Sequence, residues 1–134
     1  MKLSTRSKYG LLAMYELAKD QSSPLTIRAI AERQDLSEPY LEQLFAAMKK
    51  AGLLLSKRGA QGGYILAKPA AQISIGEIIN ALEGSTSITN CMESCECGDS
   101  CQCPSRPVYF AMQKSLDETM ERMSLQDMLD GNLN

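Results

Sequence analysis

Five cysteines, Cys91, Cys95, Cys97, Cys101 and Cys103, fall within thirteen consecutive positions, and the rest of the 134-residue chain contains none. The gaps between them run three, one, three, one, and Cys91, Cys97 and Cys103 also form an even ladder with five residues between rungs. The intervening residues are mostly polar, with no aliphatic side chains to bury the thiols as small hydrophobes, so these sulfurs call for a binding chemistry. Disulfides, zinc and iron–sulfur clusters are the three candidates. An odd count leaves at least one thiol outside any disulfide set. The opening Met1-Lys-Leu-Ser-Thr-Arg-Ser-Lys8 has no apolar signal segment, so a cytoplasmic protein with reduced thiols is expected. The Cys-x-x-Cys knuckles of structural zinc sites are absent. Thiolates select zinc, copper(I) and iron–sulfur clusters alike, so the segment alone leaves zinc, bare redox thiols and a cluster open, the cluster foremost.

The elements around this segment are mainly helical. Hydroxyl residues from Ser4 to Ser7 cap a first helix, along which Leu11, Met14, Tyr15 and Ala18 recur at helical spacing. Pro24 ends it. Thr26 caps a short second helix with Ile27, Ile30 and Ala31 on one face. Asp35-Leu36-Ser37 makes a tight joint, and Ser37 caps a third helix with Glu38 and Pro39 in its first turn. Leu41, Leu44, Phe45 and Met48 form that helix's buried stripe, and Gly52 ends it. Two apolar runs around Leu53–Leu55 and Tyr64–Leu66 flank a basic, glycine-rich tip and predict a β-hairpin. A fourth helix follows, with Ile75, Ile78, Ile79 and Leu82 inward and Gly84 at its end. Beyond the cysteines, a long amphipathic helix is expected from Val108 to Met123. Its stripe of Val108, Met112, Leu116, Met120 and Met123 is as narrow as a two-helix seam. A last turn of helix spans Leu125 to Leu129. No apolar run approaches a membrane span.

The net charge of −2 conceals a polarity. Residues 1–68 hold eleven Lys/Arg against six Asp/Glu, a local charge of +5; residues 69–134 hold three against ten, or −7. One end of the chain is suited to a polyanion. Two short helices at a tight joint followed by a basic hairpin describe a winged helix-turn-helix, with the third helix in the major groove. Ser37, Glu38, Pro39, Tyr40 and Gln43 would then face base edges. Gln43 can pair bidentately with adenine, and Glu38 or Glu42 can accept from cytosine. Arg58, beside Gly59 on the wing tip, can enter a minor groove. Arg6, Lys8, Tyr9, Arg28 and Lys57 are candidates for phosphate contacts. An enzyme is not expected: the chain has no histidine, and Gly59-Ala-Gln-Gly-Gly63 is too short for a nucleotide-binding fingerprint.

Met1-Lys-Leu-Ser-Thr-Arg-Ser-Lys-Tyr-Gly10, Ser37-Glu-Pro-Tyr-Leu-Glu-Gln-Leu-Phe45, Arg58-Gly-Ala-Gln-Gly-Gly-Tyr64 and the cysteine ladder together resemble the Rrf-two family of bacterial transcription regulators, and within it the iron–sulfur branch. The resemblance runs to about Leu129. It implies a winged helix-turn-helix over residues 1–84, a cluster-binding loop over 85–107, and a dimerisation helix and tail over 108–134. It further implies a homodimer on two-fold double-stranded operator DNA, with no membrane. Cys91, Cys97 and Cys103 would hold an iron–sulfur cluster, 2Fe–2S ahead of 4Fe–4S, and iron–sulfur assembly proteins would be partners. A cluster can shift operator affinity only through different affinity for two states of the dimer.

The chain departs from the family at the fourth ligand. The iron–sulfur branch uses a histidine three residues past the last cysteine, where this chain has Arg106. A nitric-oxide-sensing branch uses a carboxylate from the first helix, where this chain has Lys8. Cys95 and Cys101 are the foremost replacements, with Glu93, Glu96 and Asp99 as oxygen donors. Two other functions stay in view. One is a cluster-free regulator controlled by thiols or a partner protein, as in the family's cysteine-metabolism branch. The other is a small electron-transfer protein, which would need no basic wing.

Overall fold

The computed structural model describes residues 2–89 and 102–133. Five of its six α-helices begin at a hydroxyl side chain that accepts a backbone N–H of the first turn, which satisfies a donor with no intrahelical partner. Ser4 caps α1 (Thr5–Lys19), Thr26 caps α2 (Ile27–Gln34) and Ser37 caps α3 (Glu38–Lys50). Ser74 and Ser124 cap α4 (Ile75–Leu82) and α6 (Leu125–Asp130), each in a reciprocal capping box with Glu77 or Asp127. α5 (Arg106–Arg122) starts without a side-chain cap, two residues before the expected Val108. Pro107 does not delay it, because proline in a first turn gives up only an N–H that has no helical partner.

Between α3 and α4 lies a two-stranded antiparallel hairpin, β1 (Leu54–Lys57) and β2 (Gly63–Leu66), in the register Leu54↔Leu66 to Lys57↔Gly63. A single 3-10 turn, Ala70–Gln72, leads to α4. The core contains the expected stripes of α3 and α4 in full, and Met120 of α5 and Leu125 of α6 join it. α1 differs from its expected stripe. Its buried face runs through Gly10, Ala13, Met14, Leu17 and Ala18, while Leu11 and Tyr15 sit half-buried at its edge. The reason is α4: the Leu82 side chain occupies the space beside Gly10, where a methyl group would run into it. Gly76, on another side of α4, faces Met120 of α5 with room for a methyl group in ordinary contact.

Among the described residues only two polar side chains are buried, Ser7 and Glu16, and both belong to α1. Each is satisfied by another helix, as burial requires. The winged-helix arrangement expected from the pattern is the one observed.

Candidate nucleic-acid interface

The outer face of α3 follows from its inner face. With Leu41, Leu44, Phe45 and Met48 buried, Glu38, Pro39, Glu42 and Gln43 are left exposed on the opposite side, and Tyr40 is half-buried at the boundary. Ser37 Oγ accepts from the Tyr40 N–H at 3.3 Å, so this hydroxyl sets the helix start and still has its proton to donate. The joint before it turns at Asp35, at φ +54°, a left-handed conformation that Asp tolerates better than most residues. There its N–H donates to the Ala31 carbonyl and ends α2.

Tyr9 of α1 and Tyr40 of α3 meet edge-to-face, with centroids 6.1 Å apart. Both rings also lean on the core. Arg6 and Lys8 stand exposed on either side of buried Ser7. Arg28 is exposed on α2 and pairs with Glu32 at 3.4 Å, a surface pair too weak to hold the guanidinium from a phosphate.

The wing is fixed at its base and free at its tip. Tyr64 packs edge-to-face on Phe45 of α3 at 4.9 Å, and Lys49 Nζ donates to Ser56 Oγ at 2.8 Å. Leu25 and Tyr64 exchange both backbone hydrogen bonds, at 3.0 and 2.8 Å. Gly63, at φ +147°, lets the strand pass so close to Leu25 that a side chain would strike the Leu25 backbone. Beyond this anchor Lys57, Arg58 and Gly59 are exposed, and the Gly62 N–H closes the tip onto the Gly59 carbonyl at 3.0 Å. A rigid base with an exposed arginine tip is suited to reaching past the phosphates into a groove.

Two carboxylates brace the helices that carry these cations. Glu16 accepts from Gln34 Nε2 at 2.9 Å, Arg33 Nη1 at 3.2 Å and Lys19 Nζ at 3.3 Å, joining α1 to α2. Burial pushes this carboxyl up, but the hydrogen bonds from Lys19, Arg33 and Gln34 outweigh it and hold it below the usual range. Glu83, capping α4, accepts from Ser7 Oγ at 2.6 Å and from the Ser4 N–H at 2.8 Å. These bonds, Ser7 first, hold its carboxyl below the usual range too. Neither brace left a signal in the sequence, since Ser7 and Glu83 are 76 residues apart and neither belongs to an apolar period.

Of the expected cluster ligands, Cys103 is the one within the described residues: a half-buried free thiol whose carbonyl accepts the Arg106 N–H at 3.0 Å at the foot of α5. Cys91, Cys95, Cys97 and Cys101, with Glu93, Glu96 and Asp99, lie outside them. The Arg106 guanidinium lies over the Phe110 ring, 5.1 Å from its centroid. Lys8 is exposed. On the incoming side of the segment, Gln113 of α5 accepts from the Ile88 N–H at 2.8 Å and donates to the Thr86 carbonyl at 3.1 Å. Its amide also donates to Asp117 at 2.9 Å. The described residues flanking the cysteine segment, 86–88 and 103, thus both bond to α5.

The expected seam of α5 divides into two parts. Met120 is buried in the chain's own core, and Leu116 and Met123 are half-buried against it, whereas Val108 and Met112 are 56% and 52% exposed, with Phe110 beside them at 49%. Next to the seam, Leu3, Leu11, Ile79 and Leu116 line part of an open apolar cavity of about 490 Å³.

The chain matches the model of the Rrf2 (Rrf-two) family, described as an iron-dependent transcriptional regulator, over residues 3–131. It is 42% identical over 133 residues to the HTH-type transcriptional regulator IscR of Pectobacterium atrosepticum, covering 97% of this chain and 80% of that one. The structure of T. potens IscR superposes with a TM-score of 0.79 at 42% identity, covering 98% of this chain and 88% of that one. The structure of CymR, the global cysteine regulator of B. subtilis, superposes with a TM-score of 0.82 at 35% identity, covering 97% of each. These relatives are transcription regulators rather than enzymes, and no helix among the described residues is long and apolar enough to cross a membrane. A capped third helix with a polar outer face, an anchored basic wing and a family match along nearly the whole chain lead to one assignment: the chain belongs to the Rrf2 family of transcription regulators.

Proposed function

We propose that this regulator binds a two-fold operator as a homodimer and that an iron–sulfur cluster held by its cysteine segment sets its operator affinity. The observation that carries the reading is that the residues flanking that segment bond to α5, Cys103 at its foot and Thr86 and Ile88 through Gln113. A change in how the thiols are bound has a short path to α5 and the helices packed on it. The donor chemistry suits a cluster: Cys91, Cys97 and Cys103 supply three thiolates, and Cys95 or Cys101 the fourth in a chain without histidine. When bound, such a cluster supplies a centre that oxygen, nitric oxide or iron shortage can dismantle. A 2Fe–2S cluster, delivered by iron–sulfur assembly proteins in the cytoplasm, is the form preferred.

At the DNA, Glu38, Pro39, Tyr40, Glu42 and Gln43 would read base edges from α3, with Ser37 at its start. Arg58 and Gly59 would enter the adjacent minor groove. Arg6, Lys8, Tyr9, Arg28 and Lys57 would hold phosphates. The exposed Val108, Met112 and Phe110 and the neighbouring apolar cavity favour a second copy across α5, since a soluble monomer gains nothing from such a surface.

The test is a titration of protein isolated without oxygen, before and after exposure to air, against a duplex selected from a random-sequence pool. The reading expects the two forms to differ at least several-fold in affinity; equal affinity contradicts it. A second reading, a cluster-free regulator controlled by thiols or a partner protein, is favoured by the CymR likeness. It predicts no iron or sulfide in the anaerobic protein.

A further inference from the structure

We propose that Glu83 is a positioning residue for operator binding, holding the first turn of α1 against the DNA and passing to it the state of the chain that leads into the cysteine segment. The second half of this statement rests on the function proposed above; the first half does not.

Glu83 stands at a junction. It caps the end of α4, and the chain running on from it reaches Thr86 and Ile88, both gripped by Gln113 of α5. Its Oε1 accepts two hydrogen bonds from the start of α1, the Ser4 N–H at 2.8 Å and Ser7 Oγ–H at 2.6 Å. Ser7 is fully buried, so its hydroxyl depends on this carboxylate for satisfaction. Arg6 and Lys8 flank Ser7 in sequence, and Tyr9, two residues on, touches Tyr40. The carboxylate therefore fixes the turn that presents two cations and one aromatic prop of the interface.

The carboxylate sits where α1, α4 and α5 pack on one another. Gly10 makes room for the Leu82 side chain, the residue before Glu83, and on the other side of α4 Gly76 lies in ordinary contact with Met120 of α5. Close-packed contacts of this kind shift as units instead of absorbing motion. A movement of α5 or of residues 85–88 thus reaches Arg6, Lys8 and Tyr9 through the Glu83 hydrogen bonds beside this packing.

Glu83→Ala, Glu83→Gln and Ser7→Ala test this, each prepared cluster-free and titrated at several salt concentrations against a duplex selected with the wild-type protein. Glutamine keeps an acceptor oxygen, whereas the two alanine variants break the grip at either end. The expected result is about tenfold weaker binding for Glu83→Ala and Ser7→Ala. The slope of log affinity against log salt should be shallower by about one to two, as when one or two phosphate contacts are lost. Glu83→Gln should restore both. A general loss of stability would not be relieved by glutamine while changing the salt slope. Wild-type affinity and slope in Ser7→Ala, or a Glu83→Gln as impaired as the alanine variant, would overturn the proposal. The cluster-loaded forms separate the two halves. If loaded and cluster-free wild type bind alike, the cluster switch fails while the cluster-free comparison still decides the positioning role. If wild type responds and Ser7→Ala responds equally, the coupling role of Glu83 fails alone.

Discussion

Tyr9 and Tyr40 lie edge-to-face with their planes at 88°, so the first helix props the opening turn of the helix proposed to read the bases. An aromatic pair of this geometry contributes about 0.5–1.5 kcal/mol beyond its buried area. Tyr9→Leu keeps the apolar bulk but removes both the prop and the hydroxyl proposed to hold a phosphate, and Tyr9→Phe, which keeps the ring, separates the two. Loss of the prop should lower operator affinity by up to about tenfold, the limit reached if the whole ring-pair energy is needed to place the helix. Fluorescence anisotropy at fixed salt measures it, with a thermal melt to show that the fold persists.

Arg58 is exposed at the tip of a wing whose base is anchored by Phe45, Lys49 and Leu25. Arg58→Ala should leave the circular dichroism spectrum unchanged and weaken operator binding by roughly 1–3 kcal/mol. Unchanged affinity in a quantitative titration would remove Arg58 from the interface.

The acid response follows from the depressed carboxyls. Glu16, Glu77 and Glu83 are all held below the usual range, Glu77 chiefly by the Lys68 ammonium, 2.8 Å away. A lowered folded-state pKa means stability that is fully present above the unfolded value, about 4.3, and lost as pH falls through the folded values. Chemical denaturation should give constant contributions from these groups near neutrality and falling stability below about pH 4.3. Glu16→Ala should cost about 1–2 kcal/mol at pH 7, moderated because Lys19 and Arg33 can turn to solvent, and it should flatten the acid limb.

Much of this architecture was legible beforehand because its signals are local. Ser37, Pro39 and the Leu41–Met48 stripe mark α3, and Thr26 marks the helix it caps. What was not legible depends on residues distant in sequence. The shift of α1's buried face toward Gly10 follows from Leu82, and the burial of Ser7 follows from Glu83. The division of the α5 seam at Leu116 follows from where α4 ends, which no heptad pattern on α5 records.

That division supplies its own prediction. Met112 is 52% exposed within its own chain, so an aspartate there costs the single chain little but would be buried in a pair built across α5. Met112→Asp should convert a dimer to a monomer of unchanged helicity in light scattering. A variant that stays dimeric would place the pairing surface elsewhere.

Iron and acid-labile sulfide per chain, determined on protein isolated without oxygen and read beside the visible spectrum, test the central claim most directly. The account predicts iron and sulfide in near-equal amounts, with sulfur-to-iron absorption that disappears in air or nitric oxide and does not form in Cys97→Ala. A colourless protein that also resists reconstitution with iron and sulfide would contradict it, and the cysteine ladder would then belong to thiol chemistry.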